Sequence, residues 1–380
     1  MVVHQLLPRF DMGDAVSNHA LAIQEVLRSR GVESHIYAQG MDAFGMRHGR
    51  PEQEYRQYMD RREDLLIYHY LLFCDNHLLY QRSRNRKVLI YHNITPPHFY
   101  EGFEPATADL CRRGRELLPR LAQCDLALGV SDFNRRELVE MGFPEERTGV
   151  LPINPPPARL TQAPPDRRLE ELLGDGRLNL LFVGRVVPNK RVEHLVELFN
   201  LYRRAVNAFS RLVVVGSLAS PYADHVLELA ERRRLGEGAL FLGKVDDASL
   251  ATCYRRCHLY LSMSEHEGFC VPLLEAFQFG LPVVAYAAGA VPETLGDAGV
   301  LFRRKDLPLL AELLENLRRD PLLRERIVSA QRRRLESYGE DGFLESFDRT
   351  LGRFLESGEE SGSPAGGEAP SGAAAGGAAT

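Results

Sequence analysis

Arg185 and Lys190 stand five positions apart in "LLFVGRVVPNKRVEHLVELF" (180–199), in a loop that leaves an apolar strand and leads into a helix. Arginine offers a planar fork of donors, lysine a compact point charge and a helix start its unpaired N–H groups; together they suit a diphosphate. Taken alone, two cations in a loop are better explained as solvated surface charge. Glu267 and Glu275 stand eight positions apart in "SEHEGFCVPLLEAFQFG" (264–280), where Pro272 suits a first helical turn and Gly280 the position past the helix end. Glu267 then lies in the loop before a short helix, and Glu275 within it. A carboxylate there can accept two hydroxyl hydrogen bonds from a ribose. The N–H groups of Gly268, Phe269 and Cys270 can face an anion or a sugar hydroxyl. Leu274, Phe277 and Phe279 make this helix largely buried, and a buried carboxylate without a partner is costly, which favours a functional Glu275.

These residues need strands to hold them. Short apolar runs at 2–7, 34–38, 64–69, 87–92, 125–130 and 148–152 alternate with helical segments, as in "SNHALAIQEVLRSRG" with Ala20, Ile23, Val26 and Leu27 on one face. The proline-rich stretch 152–168 interrupts the alternation and reads as an interdomain linker. Beyond it the pattern restarts at 178–184, 211–216, 239–243, 259–263, 282–286 and 299–302. The expectation is α/β throughout: two doubly wound Rossmann-like domains, 1–153 and 175–337, facing a central cleft and joined by a linker at 154–174. Residues 341–356 read as one amphipathic helix, with Phe343, Phe347, Leu351 and Phe354 at helical spacing and a turn of positive φ expected at Gly339. The Gly/Ala/Ser-rich tail 357–380 reads as disordered.

Other motifs compete less well. "GALFLGK" (238–244) has P-loop spacing, but Val245 stands where the magnesium-binding hydroxyl belongs and the intervening residues suit a strand. "GVSDF" (129–133) lacks the second glycine of a nucleophile elbow, so Ser131 reads as a helix N-cap. Cys253, Cys257, His258, His266 and Cys270 lie close in sequence, yet buried free thiols explain them better than zinc. No G-x-G-x-x-G follows a strand, and no Asp-x-Asp pair is present to hold a metal–diphosphate complex.

Composition bounds the rest. A chain of 380 residues with a formal charge of −5 has no basic footprint for nucleic acid. No run of 18 uncharged apolar residues occurs, the N-terminal stretch lacks the regions of a signal peptide, and six scattered cysteines read as reduced thiols, so a cytoplasmic location is expected. "CRRGRELLPRLAQC" (111–124) sets Arg112, Arg113, Arg115 and Arg120 beside Leu117, Leu118 and Leu121. That pattern suits either peripheral membrane contact or, more simply, a helix packed on its sheet.

The order "GR…K", then "EGF…P…EA…GLPVVA…G…E", closely resembles the retaining glycosyltransferases of family 4, over nearly all of 178–302. The resemblance implies the GT-B fold, with transfer of a hexose from a nucleoside diphosphate sugar to a hydroxyl of a sugar, glycoside or lipid-linked acceptor. It further implies retained configuration and neither a resident cofactor nor a metal. Glu267 and Glu275 match the family's E-x7-E motif; Arg185, after Gly184, and Lys190 match its diphosphate-binding cations. Over the first half, Gly13 in "DMGDAVSNH" looks like the first-loop glycine near the donor phosphate, and His92 in "YHNITPPHF" like the histidine beside the transferred sugar. The chain departs from the family at Met12-Gly13, where many members have two glycines, and at Arg191, where glycine often follows the lysine. A nucleotide-sugar epimerase or hydrolase of the same fold, and a non-catalytic sugar-nucleotide-binding subunit, are the alternatives the resemblance leaves.

Overall fold

Segments such as Leu65–Tyr70 and Ser210–Val215 are buried at every position, as parallel strands covered on both faces must be. In the computed structural model, which describes residues 1–153 and 158–360, they build two all-parallel sheets. The first comprises β1 (Val2–Phe10), β2 (Glu33–Met41), β3 (Arg50–Pro51), β4 (Leu65–Tyr70), β5 (Arg86–Tyr91), β6 (Leu126–Gly129) and β7 (Thr148–Val150), in the order 3-2-1-4-5-6-7. The second comprises β8 (Leu178–Val183), β9 (Ser210–Val215), β10 (Ala239–Gly243), β11 (Leu259–Ser262), β12 (Val283–Tyr286) and β13 (Val300–Phe302), in the order 10-9-8-11-12-13. Both are doubly wound. Each reverses direction between its first strand and its fourth, with β1 beside β4 and β8 beside β11, which opens a crevice at the strands' C-terminal ends.

The twelve expected strands all form. The thirteenth, two residues at Arg50–Pro51, carries no apolar run to announce it. The expected linker is partly ordered: Ala158–Gln162 and Arg167–Leu173 are short helices, and Asp166 N donates to Thr252 Oγ1 on the helix Asp247–Arg256. Residues 154–157 lie outside the described residues.

The C-terminal segment differs from the single regular helix expected. Helix Glu340–Phe347 passes through a π-helical turn, Asp348–Gly352, into helix Arg353–Glu360. Gly339 has φ −63° and an extended ψ, so the turn needs no positive φ there. Phe343, Phe347 and Leu351 are buried against elements of the first sheet's domain. Arg30 pairs with Asp348 and lies over the Phe347 ring, and Arg86 Nη2 donates to Phe354 O at 2.7 Å. The helix runs four residues into the expected tail; residues 361–380 lie outside the described residues.

Helix Pro105–Leu117 and the turn after it bury Leu117, Leu118 and Leu121 in the first domain's core, so those leucines form no exposed apolar face. Arg112 pairs with Asp109 and Glu101, and Arg113 stacks over Phe73. Among the described residues, no helix is long and apolar enough to cross a membrane.

Candidate functional site

The β8–β11 crevice brings together the residues singled out in the second half. After β8 the chain turns at Gly184 (φ 153°) and a single helical turn, Pro188–Lys190, leads into helix Val192–Ala205. After β11 it runs through Glu265–Cys270 into helix Val271–Gln278. Asn189 ties the two loops: its carbonyl accepts from Glu265 N at 2.8 Å, and its Nδ2 donates to His266 O at 3.0 Å. Lys190 Nζ donates to both carboxylate oxygens of Glu267 at 2.6 Å, and Glu267 is 6% exposed. Arg185 is exposed at the same strand end and forms no ion pair among the described residues. Its charge reaches Tyr100 of the first domain, opposing the burial that raises that phenol.

Arg191 sits in the left-handed region at φ 51°, the conformation a glycine would adopt without strain. Its guanidinium donates Nε to Glu265 Oε2 at 2.6 Å and lies over the Phe99 ring, which holds the strained residue in place. Burial would raise Glu265, but the hydrogen bonds from Lys305 and Arg191 outweigh it and hold the carboxyl below its ordinary value.

Glu275 turns away from this pair. Its Oε2 accepts from Tyr254 OH at 2.6 Å, and it is enclosed closely enough that burial pushes its carboxyl up to about 7, with the tyrosine working against that. The partner expected for a buried carboxylate is therefore present as a phenol. Phe269 is buried against the edge of Tyr338, and Cys270, in the left-handed region at φ 72°, starts the helix with its thiol raised well above the ordinary range by burial.

Across the cleft, Gly13 adopts φ 77° in the turn after β1, with open space where a Cβ would stand. Its neighbour Asp14 caps helix Ala15–Ser29 by accepting from Val16 N and Ser17 N. His92 lies just past β5, but neither of its ring nitrogens opens on the cleft. Gln5 Nε2 donates to Ala20 O, so Gln5 Oε1 accepts from His69 Nε2 at 3.0 Å, and His69 Nδ1 is left to accept from His92 Nε2 at 3.0 Å. His92 Nδ1 is enclosed without a partner.

With His19, these histidines form a cluster whose nitrogens lie within 4.8 Å of one another, a group no sequence spacing announces. Their chemistry is decided by direction. The His69 and His92 ring centres are 5.2 Å apart. That equals the N···N separation plus about 1.1 Å from each nitrogen to its ring centre, so the His92 Nε2–H bond points straight along the His69 Nδ1 lone pair. Ligands of a tetrahedral ion would point instead at a common third position. Burial holds both imidazoles well below their ordinary value, hence neutral.

The remaining motifs resolve simply. "GALFLGK" spans β10. Ser131 caps helix Asp132–Glu140, accepting from Asn134 N. Cys253 and Cys257 are buried free thiols, and His258 Nδ1 accepts from Asn179 N. Sequence reasoning missed Asn93 and Asn134, and it gave no role to Glu293, the last residue of the quoted motif. Asn93, left-handed at φ 77°, bonds His266 Nε2, while Glu293 accepts from Asp132 N at 2.7 Å and Phe133 N at 3.1 Å. All of these contacts join the two domains.

Residues 166–334 match the family model "Glycosyl transferases group 1". The chain is 27% identical over 283 residues to the O-antigen chain mannosyltransferase B of Escherichia coli, covering 68% of this chain and 73% of that protein. It is 31% identical over 214 residues to the D-inositol 3-phosphate glycosyltransferase of Salinispora arenicola (strain CNS-205), covering 52% of this chain and 46% of that protein. Among solved structures, Anabaena Alr3699/HepE in complex with UDP and glucose superposes with a TM-score of 0.72 at 18% identity, over 93% of this chain and all of that one. WaaG, a glycosyltransferase involved in lipopolysaccharide biosynthesis, superposes with a TM-score of 0.67 at 16% identity, over 92% and 100%. The two doubly wound sheets are thus those of the GT-B fold.

Proposed function

From a second domain that matches the family model of the glycosyl transferases group 1 and two sheets in the GT-B arrangement, we propose that the protein is a retaining glycosyltransferase. It moves a hexose from a nucleoside diphosphate sugar to an acceptor hydroxyl without a metal. The observation that carries this reading is the meeting of Lys190 and Glu267 at the β8–β11 crevice, with Arg185, which has no ion pair among the described residues, exposed at the end of β8.

The chemistry requires charge to be stabilised on the leaving diphosphate as the glycosidic bond breaks. Arg185 supplies a free fork of donors at that position. Lys190 has three donors and spends two on Glu267, which leaves one for a phosphate oxygen. The two carboxylate oxygens retain lone pairs for sugar hydroxyls, so Glu267 orients the sugar while Lys190 reaches the phosphate. No enzymic nucleophile is assigned: the acceptor attacks the face that the leaving group departs from. Names among the relatives, a mannosyltransferase and a structure holding UDP and glucose, support a hexose donor.

The test is turnover of UDP-, GDP- and ADP-hexoses with mixed glycoside and lipid-linked acceptors, with the anomeric configuration of the product read by NMR. Transfer with retention supports the reading. An inverted product, or hydrolysis or epimerisation without transfer, overturns it.

A further inference from the structure

The loop that follows Glu267 has three successive carbonyls held from behind. Glu267 O accepts from Ala290 N at 2.9 Å, and Phe269 O accepts from Thr294 Oγ1 at 2.6 Å. Gly268 O, between them, is held by the other domain: Ser131 Oγ donates to it at 2.8 Å and Asn134 Nδ2 at 3.1 Å. In a trans peptide the carbonyl of one residue and the N–H of the next point in opposite directions. Holding these three oxygens therefore aims the N–H groups of Gly268, Phe269 and Cys270 the other way. For Phe269 N–H, the aiming groups belong to the first domain.

The approach is as close as backbones allow. A Cβ on Gly268 would stand 2.7 Å from Asn93 Cβ and 2.8 Å from His92 O. Asn134 is itself held by Asn93, whose Nδ2 donates to Asn134 Oδ1 at 2.9 Å. Glu293, next to Thr294, clasps the start of the helix that Ser131 caps, and a carboxylate suits the positive end of that helix. The bonds of Ser131 and Asn134 to Gly268 O, and of Glu293 to Asp132 N and Phe133 N, are polar and cross the cleft. The bonds to Gly268 O exist only where the two domains meet, so the alignment they impose depends on the domains being together.

We propose that Ser131 and Asn134 are positioning residues that turn the Gly268–Phe269 peptide where the two domains meet, so that Phe269 N–H faces the bound donor. This rests on the glycosyltransferase reading of the same site. The donor nucleotide is held by the second domain, open or closed, so loss of the contact lowers kcat with little change in donor KM.

Ser131 also caps a helix, and two variants separate the roles. Ser131→Thr keeps a hydroxyl that can both cap and donate. Ser131→Asp keeps a good cap but brings only acceptors to Gly268 O. The expected result is a kcat roughly ten-fold or more below wild type for Ser131→Asp, with donor KM and melting temperature near wild type and Ser131→Thr within about three-fold. Equal kcat in the two variants overturns the proposal while leaving the transferase reading intact. A second measurement does not depend on turnover. Small-angle scattering with a nucleoside diphosphate bound should give a larger radius of gyration for Ser131→Asp than for Ser131→Thr, and identical radii overturn the proposal even if wild type fails to transfer.

Discussion

Lys190 Nζ lies 2.6 Å from both carboxylate oxygens of Glu267, though 77 residues separate them, and neither forms another ion pair among the described residues. Arg185, in the same loop, has no such partner among the described residues, and the two cations should therefore fail differently when removed. Lys190→Ala is expected to cut transfer by roughly 10² or more and also to lower the melting temperature. It strands a nearly buried carboxylate, at a cost of about 1–3 kcal/mol. Arg185→Ala should cut transfer comparably and leave the melting temperature unchanged, since the side chain is exposed and unpaired. Near-wild-type turnover in either variant would remove that cation from the leaving group.

Transfer should persist in EDTA if, as proposed, Arg185 and the third donor of Lys190 supply the charge that stabilises the leaving diphosphate. Activity lost to the chelator and restored only by magnesium or manganese would place the stabilising charge on an ion instead.

Much of this was legible in the residues, and the limits have a physical origin. Parallel strands buried on both faces must be apolar along their length, so β8 and β11 and the loops after them stood out, and with them Arg185, Lys190 and Glu267. The short strand Arg50–Pro51 carries no such run and was invisible. Ser131 could be read as a cap because capping is local, whereas its bond to Gly268 spans 137 residues and exists only once two domains meet. The His69–His92 pair is equally non-local: neighbouring strands align the two rings, and nothing in the spacing of the residues says so. Glu275 matched its motif, yet its bond to Tyr254 depends on how one helix lies against another.

That bond gives a pH prediction. Burial raises Glu275 from its ordinary 4.5 to about 7, so the folded state holds this proton more tightly than the unfolded state. The group's contribution to stability is therefore complete below about pH 4.5 and is lost as pH rises through about 7. Glu275→Gln, which can still accept from Tyr254, should be more stable than wild type at pH 8 by about 1–3 kcal/mol and no more stable at pH 4. Denaturant unfolding at the two pH values checks this. If the carboxylate also takes ribose hydroxyls, the same variant weakens donor binding, a stability gain with a functional cost.

The C-terminal segment supplies the last prediction. Phe343, Phe347 and Leu351 are almost fully buried, and Arg30 and Arg86 of the first domain hold the same stretch through Asp348, the Phe347 ring and Phe354 O. Each buried phenylalanine contributes roughly 1.5–3 kcal/mol, and the ring of Phe343 also closes over His19 beside the His69–His92 pair. A chain ending at Glu356 keeps every one of these contacts and should melt and turn over like the full chain. A chain ending at Glu340 loses them all. It should melt several degrees lower, expose apolar surface to a dye such as anilinonaphthalene sulfonate, and transfer poorly although Arg185, Lys190 and Glu267 remain. Donor binding, which the proposed function assigns to the second domain, should survive the longer truncation. Loss of binding together with transfer would mean that the segment supports the donor site itself rather than the first domain against it.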